Sequence, residues 1–463
     1  MVTSLDRRPV RPDAATGHGP TSVERTPSGM RPPDPRFRRA PVGSVLLAVM
    51  LGSLLPHPSL AQARPDPAGP VLIRNVTVVD ATGSRDGVDV RLRDGRVEAV
   101  APSDGAPFDG RVIEGGGGFL IPGLVDAHVH VGHLPRAEMA ELLEWVVDGG
   151  VTALRDMAGD ARALAGTRQA LLTRELRGPR LHYAALLAGP PFLSDPRLEA
   201  ATRGYASGEA PYMIPVTART DVVRAVAMAK GTGATGLKLY AALDAERIAA
   251  VTREAHAAGL QVWAHSAVFP ARPVEVLDAG VDGVSHAPYL IWEARPPTPD
   301  FTLRARGDFA GVPVDGPAMD RVIAAMVRNG TVLDPTLLVF ERNAADDSTG
   351  LRLEWGAALT RRAHAAGVPL ATGTDGVGDP DTDDLPAVHR ELELLVELAG
   401  LTPVEALVAG TLGGARVLGI DDRFGTVEVG KVADLVLLTD DPRADIRATR
   451  SVRHVLLGGR VVR

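Results

Sequence analysis

Between residues 119 and 420 one motif recurs eight times, a short apolar run followed by a helical stretch. The runs read GLVDAHVHV, VTALRDM, RLHYAALLAG, GLKLYAAL, QVWAHSA, GVSHAP, TVLDPTLLV and PLATGTDG. Helical segments separate them, for example 244–259 (DAERIAAVTREAHAAG) and 318–330 (AMDRVIAAMVRNG). In the second, Val322, Ile323 and Met326 fall at helical spacing. Strand–helix units in series predict an α/β fold with a parallel sheet, and eight of them predict closure into a (β/α)8, or TIM, barrel. A further helix is expected at Thr402-Pro403-Val404-Glu405, a capping box with proline at the first helical position.

The flanks have a different texture. Residues 71–118 hold VLIRNVTVVD and VDVRLRDGRVEAV, the latter with an Asp94-Gly95 turn signal, and residues 421–463 hold GTVEVG, ADLVLLT and SVRHVLLGGRVV. These short alternating runs predict a small β-sandwich domain formed from both chain ends. Residues 1–40 are rich in Pro, Arg and Ser without periodicity, which predicts a disordered leader. Residues 41–63 read as a signal peptide. The apolar run Val42–Leu55 follows Arg38-Arg39, stops at Pro56 and precedes the cleavage pattern Ala61-Gln62-Ala63, so the mature chain would begin at Arg64. Met30 is an alternative start, and Arg38-Arg39 also reads as a twin-arginine signal. The expectation is an exported protein, periplasmic or secreted in a bacterial envelope, with no stable membrane span after cleavage.

Composition narrows the chemistry. The chain has no Cys, which excludes disulfides, thiolate metal sites and cysteine nucleophiles, so any metal must rest on His and carboxylate groups. A net charge of −7 argues against nucleic acid as a partner. His128 and His130 lie two apart on the first strand, so both imidazoles point to one side. Lys238, His265, His286 and Asp375 each fall late in their own apolar run, where barrel enzymes place their active sites. Charged and imidazole groups in such runs are costly unless paired or metal-bound. Tyr240 shares strand parity with Lys238 and faces the same mouth, where it could hold a substrate carboxylate or oxyanion. Arg155, ending the second strand, fits either carboxylate recognition or an ion pair with a nearby acid. His133, His182 and His389 are read as core or surface residues. The stretches 189–217 and 289–315, the second carrying Trp292 and Phe301, are long for barrel connections and read as binding loops.

The stretch FLIPGLVDAHVH (119–130) resembles the first-strand signature of the amidohydrolase superfamily. GVTALRDM, GLKLY, VWAHS, VSHAP and ATGTDG follow in that superfamily's order, and FGTVEVGKVADLVLL (424–438) is similar to its returning β segment. The likeness is to the branch with imidazolonepropionase and metal-dependent Xaa-Pro dipeptidases. It implies a hydrolase of amide C–N bonds in dipeptides, Xaa-Pro peptides or N-acyl amino acids, acting through a metal-activated water. His128, His130 and Asp375 would bind the more buried of two divalent ions, zinc by the same resemblance, and His265 and His286 the more exposed one. A carboxylated Lys238 would bridge them, and Asp375 would serve as general base. Alternatives are a one-ion hydrolase of cyclic amides in which His286 contacts substrate, an esterase or lactonase on the same site, or a non-catalytic binding protein. The expected partners are a small-molecule or short-peptide substrate and a second copy in a homo-oligomer.

Overall fold

The computed structural model describes residues 69–206, 208–296, 300–344 and 350–463. The leader and signal peptide expected over 1–63 lie outside the described residues. The chain enters through β1 (Val71–Asp80), β2 (Gly83–Arg93), β3 (Arg96–Pro102), β4 (Arg111–Glu114) and β5 (Phe119–Pro122). Gly123 then leads into the barrel strands β6 (Leu124–Val129), β7 (Val151–Asp156), β8 (Arg180–Ala188), β9 (Met213–Pro215), β10 (Gly236–Leu239), β11 (Gln261–His265), β12 (Gly283–Ser285) and β13 (Val332–Asp334). The chain returns to its starting sheet with β14 (Leu435–Leu438), β15 (Val452–Leu457) and β16 (Arg460–Val461).

Both chain ends therefore share one sheet, ordered β16-β15-β14-β5-β1-β2-β3, with β4 beside β1. Its joint is β14, which runs antiparallel to β5 from Leu435 opposite Pro122 to Leu438 opposite Phe119. Alternation along these strands turns Val71, Ile73, Val88, Val90, Leu120, Leu435, Leu437 and Leu456 into one apolar core. Each large side chain so buried contributes roughly 1.5–3 kcal/mol.

The barrel strands are parallel in the order β13-β12-β11-β10-β8-β7-β6, and β9 adds to the far end of β8. The eighth segment closes the ring. Leu333 donates to the Pro369 carbonyl at 2.9 Å, Ala127 donates to Thr372 at 2.8 Å, and Asp375 donates to His128 at 2.8 Å. Helices cover the outside. Pro317–Asn329 buries Met319, Val322, Ile323, Ala325 and Met326 and leaves Arg321 and Arg328 in water. Thr402 and Glu405 form the expected capping box at Pro403–Val408. Among the described residues no helix is long and apolar enough to cross a membrane.

Inside the barrel, Trp263 has the same strand parity as His265 and fills the layer beneath the mouth. Its indole donates to the Val417 carbonyl at 2.7 Å. Gly236 faces that ring, and a Cβ there would come within 2.5 Å of it, so the strand that carries Lys238 must begin with glycine. The layer beneath the mouth is thus closed by the indole.

Candidate metal centre and active site

Seven of the eight sequence-derived residues meet at the C-terminal ends of the strands. His128, Lys238 and His265 lie within β6, β10 and β11, His130, Tyr240 and His286 just beyond a strand end, and Asp375 in the segment that closes the ring. His128 and His130, two apart at the end of β6, both turn Nε2 toward Asp375 Oδ1, at 3.2 and 3.1 Å. His286, just past β12, completes a set in which one donor atom each from His128, His286 and Asp375 lies within 4.8 Å of the others. The imidazoles of His128 and His286 stand 4.8 Å apart, and those of His265 and His286 stand 4.7 Å apart. Three residues here are left-handed without being glycine: His286 (φ 74°), Thr336 (φ 49°) and Asp375 (φ 57°). Such conformations cost about 1–3 kcal/mol each and gather where function over-determines them.

The nitrogens that do not face the cluster are anchored. His128 Nδ1 lies 2.9 Å from Asp334 Oδ2, which fixes the ring proton there and leaves the Nε2 lone pair free. His286 Nδ1 pairs with the Thr336 hydroxyl at 2.8 Å. The turn that carries Thr336 is held from a distant helix, where the buried Glu391 carboxylate accepts the Leu337 and Leu338 amides at 2.9 and 2.7 Å. His265 is arranged differently: its Nδ1 accepts the Ala267 amide at 3.1 Å. Ligation through that nitrogen requires giving up the Ala267 contact.

Charge states suit a cation. Burial alone would raise the Asp375 carboxyl, but the facing His128, His130 and His286 imidazoles outweigh it and hold the group well below the carboxylate range. Burial holds His265 and His286 well below the usual imidazole value, so both are neutral with lone pairs to offer. Lys238 is wholly buried, and its Nζ has no hydrogen-bond partner. Burial and the nearby Arg155 push it down to about 7, so a large share is free amine near neutrality.

Arg155 sits inside the barrel, 1% exposed. Its guanidinium rests 4.6 Å over Trp263, donates to the Ala127 carbonyl and lies 3.5 Å from Asp334. The structure thus places it in an ion pair beneath the site. Tyr240 stands at the mouth, stacked on Phe192 at 4.3 Å and tilted against His265 at 5.2 Å. Of the histidines read as core or surface, His389 is buried and paired with Thr449 and the Gly149 carbonyl, His133 is exposed, and His182 lies at the opposite end of β8 from the mouth.

Sequence reasoning passed over Asp334, which ends β13 but stands partway along the run TVLDPTLLV, where its place marks no strand end. Thr336, Glu391 and Arg304 carried no such mark either.

The Amidohydrolase family model matches residues 119–462, the barrel together with the returning strands. The chain belongs to the amidohydrolase family. Imidazolonepropionase from Chromobacterium violaceum is 26% identical to it over 384 residues, covering 77% of this chain and 86% of that protein. The 5-methylthioadenosine/S-adenosylhomocysteine deaminase of Moorella thermoacetica is 27% identical over 394 residues, covering 80% and 86%. A solved Xaa-Pro dipeptidase with bound methionine in its active site superposes with a TM-score of 0.66 at 22% identity, covering 85% of this chain and 99% of that one. This amidohydrolase is a hydrolase acting on carbon–nitrogen bonds.

Proposed function

We propose that this amidohydrolase cleaves the amide C–N bond of a dipeptide, an Xaa-Pro peptide or an N-acyl amino acid. The observation that carries the reading is the convergence of His128, His286 and Asp375 donor atoms beside the partnerless Lys238 Nζ. The donor set fits divalent cations, with zinc the first choice for imidazole and carboxylate ligands. His128, His130 and Asp375 would hold one ion, His265 and His286 a second, and a carboxylated Lys238 would join them. When bound, such ions acidify a water and polarise the amide carbonyl.

Asp375, ionised and facing three imidazoles, takes the proton as the water oxygen adds to the carbonyl carbon. As the C–N bond breaks, it returns that proton to the departing amine nitrogen. Tyr240, at the rim, orients the substrate by its hydroxyl. Asp334 and Thr336 keep His128 and His286 in the tautomers and orientations that ligation needs.

A one-ion hydrolase of cyclic amides is the second reading. It is favoured by the tie between His265 Nδ1 and Ala267, which sets that nitrogen apart from the converged donors of His128, His286 and Asp375. The test is a screen of zinc-loaded protein against Xaa-Pro and other dipeptides, N-acyl amino acids, cyclic amides and lactones. Hydrolysis of linear amides is expected, and hydrolysis confined to lactones or cyclic amides overturns the reading. We propose in addition that the protein acts after export. An N-terminus at Arg64 in the envelope fraction supports this, and full-length protein in the cytoplasm contradicts it.

A further inference from the structure

A chain only 4% aromatic gathers Phe192, Tyr240, Tyr289, Phe301 and Phe340 around its site histidines. They come from separate places. Phe192 rides on the short turn Pro190–Ser194, Tyr289 on Ala287–Ala294 and Phe301 on Phe301–Ala305, while Tyr240 follows β10 directly. Phe301 meets Phe192, Tyr240 and His265 edge-on at 5.4, 5.3 and 5.1 Å. Tyr289 stacks on His265 at 5.3 Å and 16°. An aromatic wall therefore begins at a site imidazole and draws on three separate turns.

Arg304 lies on that wall. Its guanidinium covers the Phe301 ring at 4.3 Å and stands 6.0 Å from Tyr289. Among the described residues the hydrogen bonding of its side chain is limited to the Phe301 carbonyl at 3.3 Å, and its Nε is buried without a partner. No described carboxylate pairs with it. The neighbouring Arg197 differs, since Asp195 holds it by two bonds of 2.9 and 2.6 Å. A half-buried guanidinium with spare donors is costly as it stands, and a carboxylate satisfies it with two parallel bonds.

We propose that Arg304 is the anion-recognition residue of this site, and that the substrate is an amide bearing a free carboxylate next to an aromatic or bulky apolar group. This rests on the amide-hydrolase reading above and narrows it. The carboxylate lies on Arg304, the apolar group packs among Phe192, Tyr240 and Phe301, and the amide points down toward His265 and Asp375. A substrate of the same shape with a neutral carboxamide leaves Arg304 unpaired and is rejected.

The probes are 3-phenylpropionate and its neutral alcohol, 3-phenylpropan-1-ol, titrated calorimetrically into the zinc-loaded wild type, Arg304→Gln and Arg304→Lys. The wild type binds the acid at least roughly 10-fold more tightly than the alcohol, and Arg304→Gln weakens the acid by roughly 10- to 100-fold. Arg304→Lys recovers part of that loss, and propionate binds less tightly than 3-phenylpropionate. Equal affinity for acid and alcohol in the wild type overturns the proposal without reference to any variant, and so does an Arg304→Gln affinity for the acid equal to the wild type's. Turnover separates the two levels. N-acetylphenylalanine and its carboxamide cleaved equally well would refute the role of Arg304 and leave the hydrolase standing.

Discussion

Two deeply buried charged groups, one in each half of this molecule, are treated differently. In the sheet domain Asp80 is 1% exposed and accepts from the Thr82 amide, the Thr82 hydroxyl, Arg85 and the Val427 amide, at 2.8, 2.5, 2.9 and 2.7 Å. Both of its oxygens are used, and they tie the first strand to the returning chain. In the barrel Lys238 is buried as deeply, yet its Nζ has no partner, and neither have Arg155 Nη1 and Asp334 Oδ1. Native proteins pair nearly all such atoms. The contrast separates a network that holds the fold from an open one of the kind the proposed metal centre would complete.

The comparison can be broken at several points. The largest effect is expected from Asp375→Asn, which keeps the shape of the site but cannot accept the proton. Turnover should fall by roughly 1,000-fold with metal still bound, and full turnover would remove Asp375 from the chemistry. Next is the stability contrast between halves. Asp80→Ala leaves the buried Val427 amide without its acceptor and Arg85 with the Val427 carbonyl alone, and should cost about 1–3 kcal/mol in urea unfolding. Lys238→Met removes a partnerless buried amine, so the metal-free chain should be as stable as the wild type or more so. Equal losses in both variants would erase the distinction.

A smaller effect is expected at Glu391, which reaches the site only through the Leu337–Leu338 turn and Thr336. Glu391→Ala should weaken zinc binding by about 10- to 100-fold in competition with a chelator, with Glu391→Gln recovering part. An unchanged affinity would mean that the turn holds itself. The smallest is a pH effect at His389, a buried histidine on the structural side. Burial pushes it down to about 4 from an ordinary 6.5, so the unfolded chain takes up a proton that the folded chain refuses. Its contribution is fully present above pH 6.5 and is lost as pH falls toward 4. In His389→Gln the urea midpoint should fall less over that window.

Much of this was legible in the sequence because barrel chemistry is written on strands. A two-residue spacing put His128 and His130 on one face, and position late in an apolar run located Lys238, His265, His286 and Asp375. The second layer was less legible. Glu391 lies on a helix, where an acid reads as a solvated residue, and only tertiary packing buries it against the turn after β13. Arg304 lies in a long loop without periodicity, and nothing local shows that Phe301 delivers it beside His265. Arg155, ending its strand, fitted either carboxylate recognition or an ion pair with a nearby acid. Its length let the guanidinium fold back over Trp263, which no residue pattern encodes.

The most direct measurement is the metal content per chain, by mass spectrometry of protein purified with bicarbonate present, for the wild type and Lys238→Met. Two zinc ions per wild-type chain are expected, falling to one or fewer in the variant together with turnover. One ion in both proteins with turnover unchanged would contradict a centre built on Lys238, and no bound metal with full activity after chelation would contradict the metal centre itself.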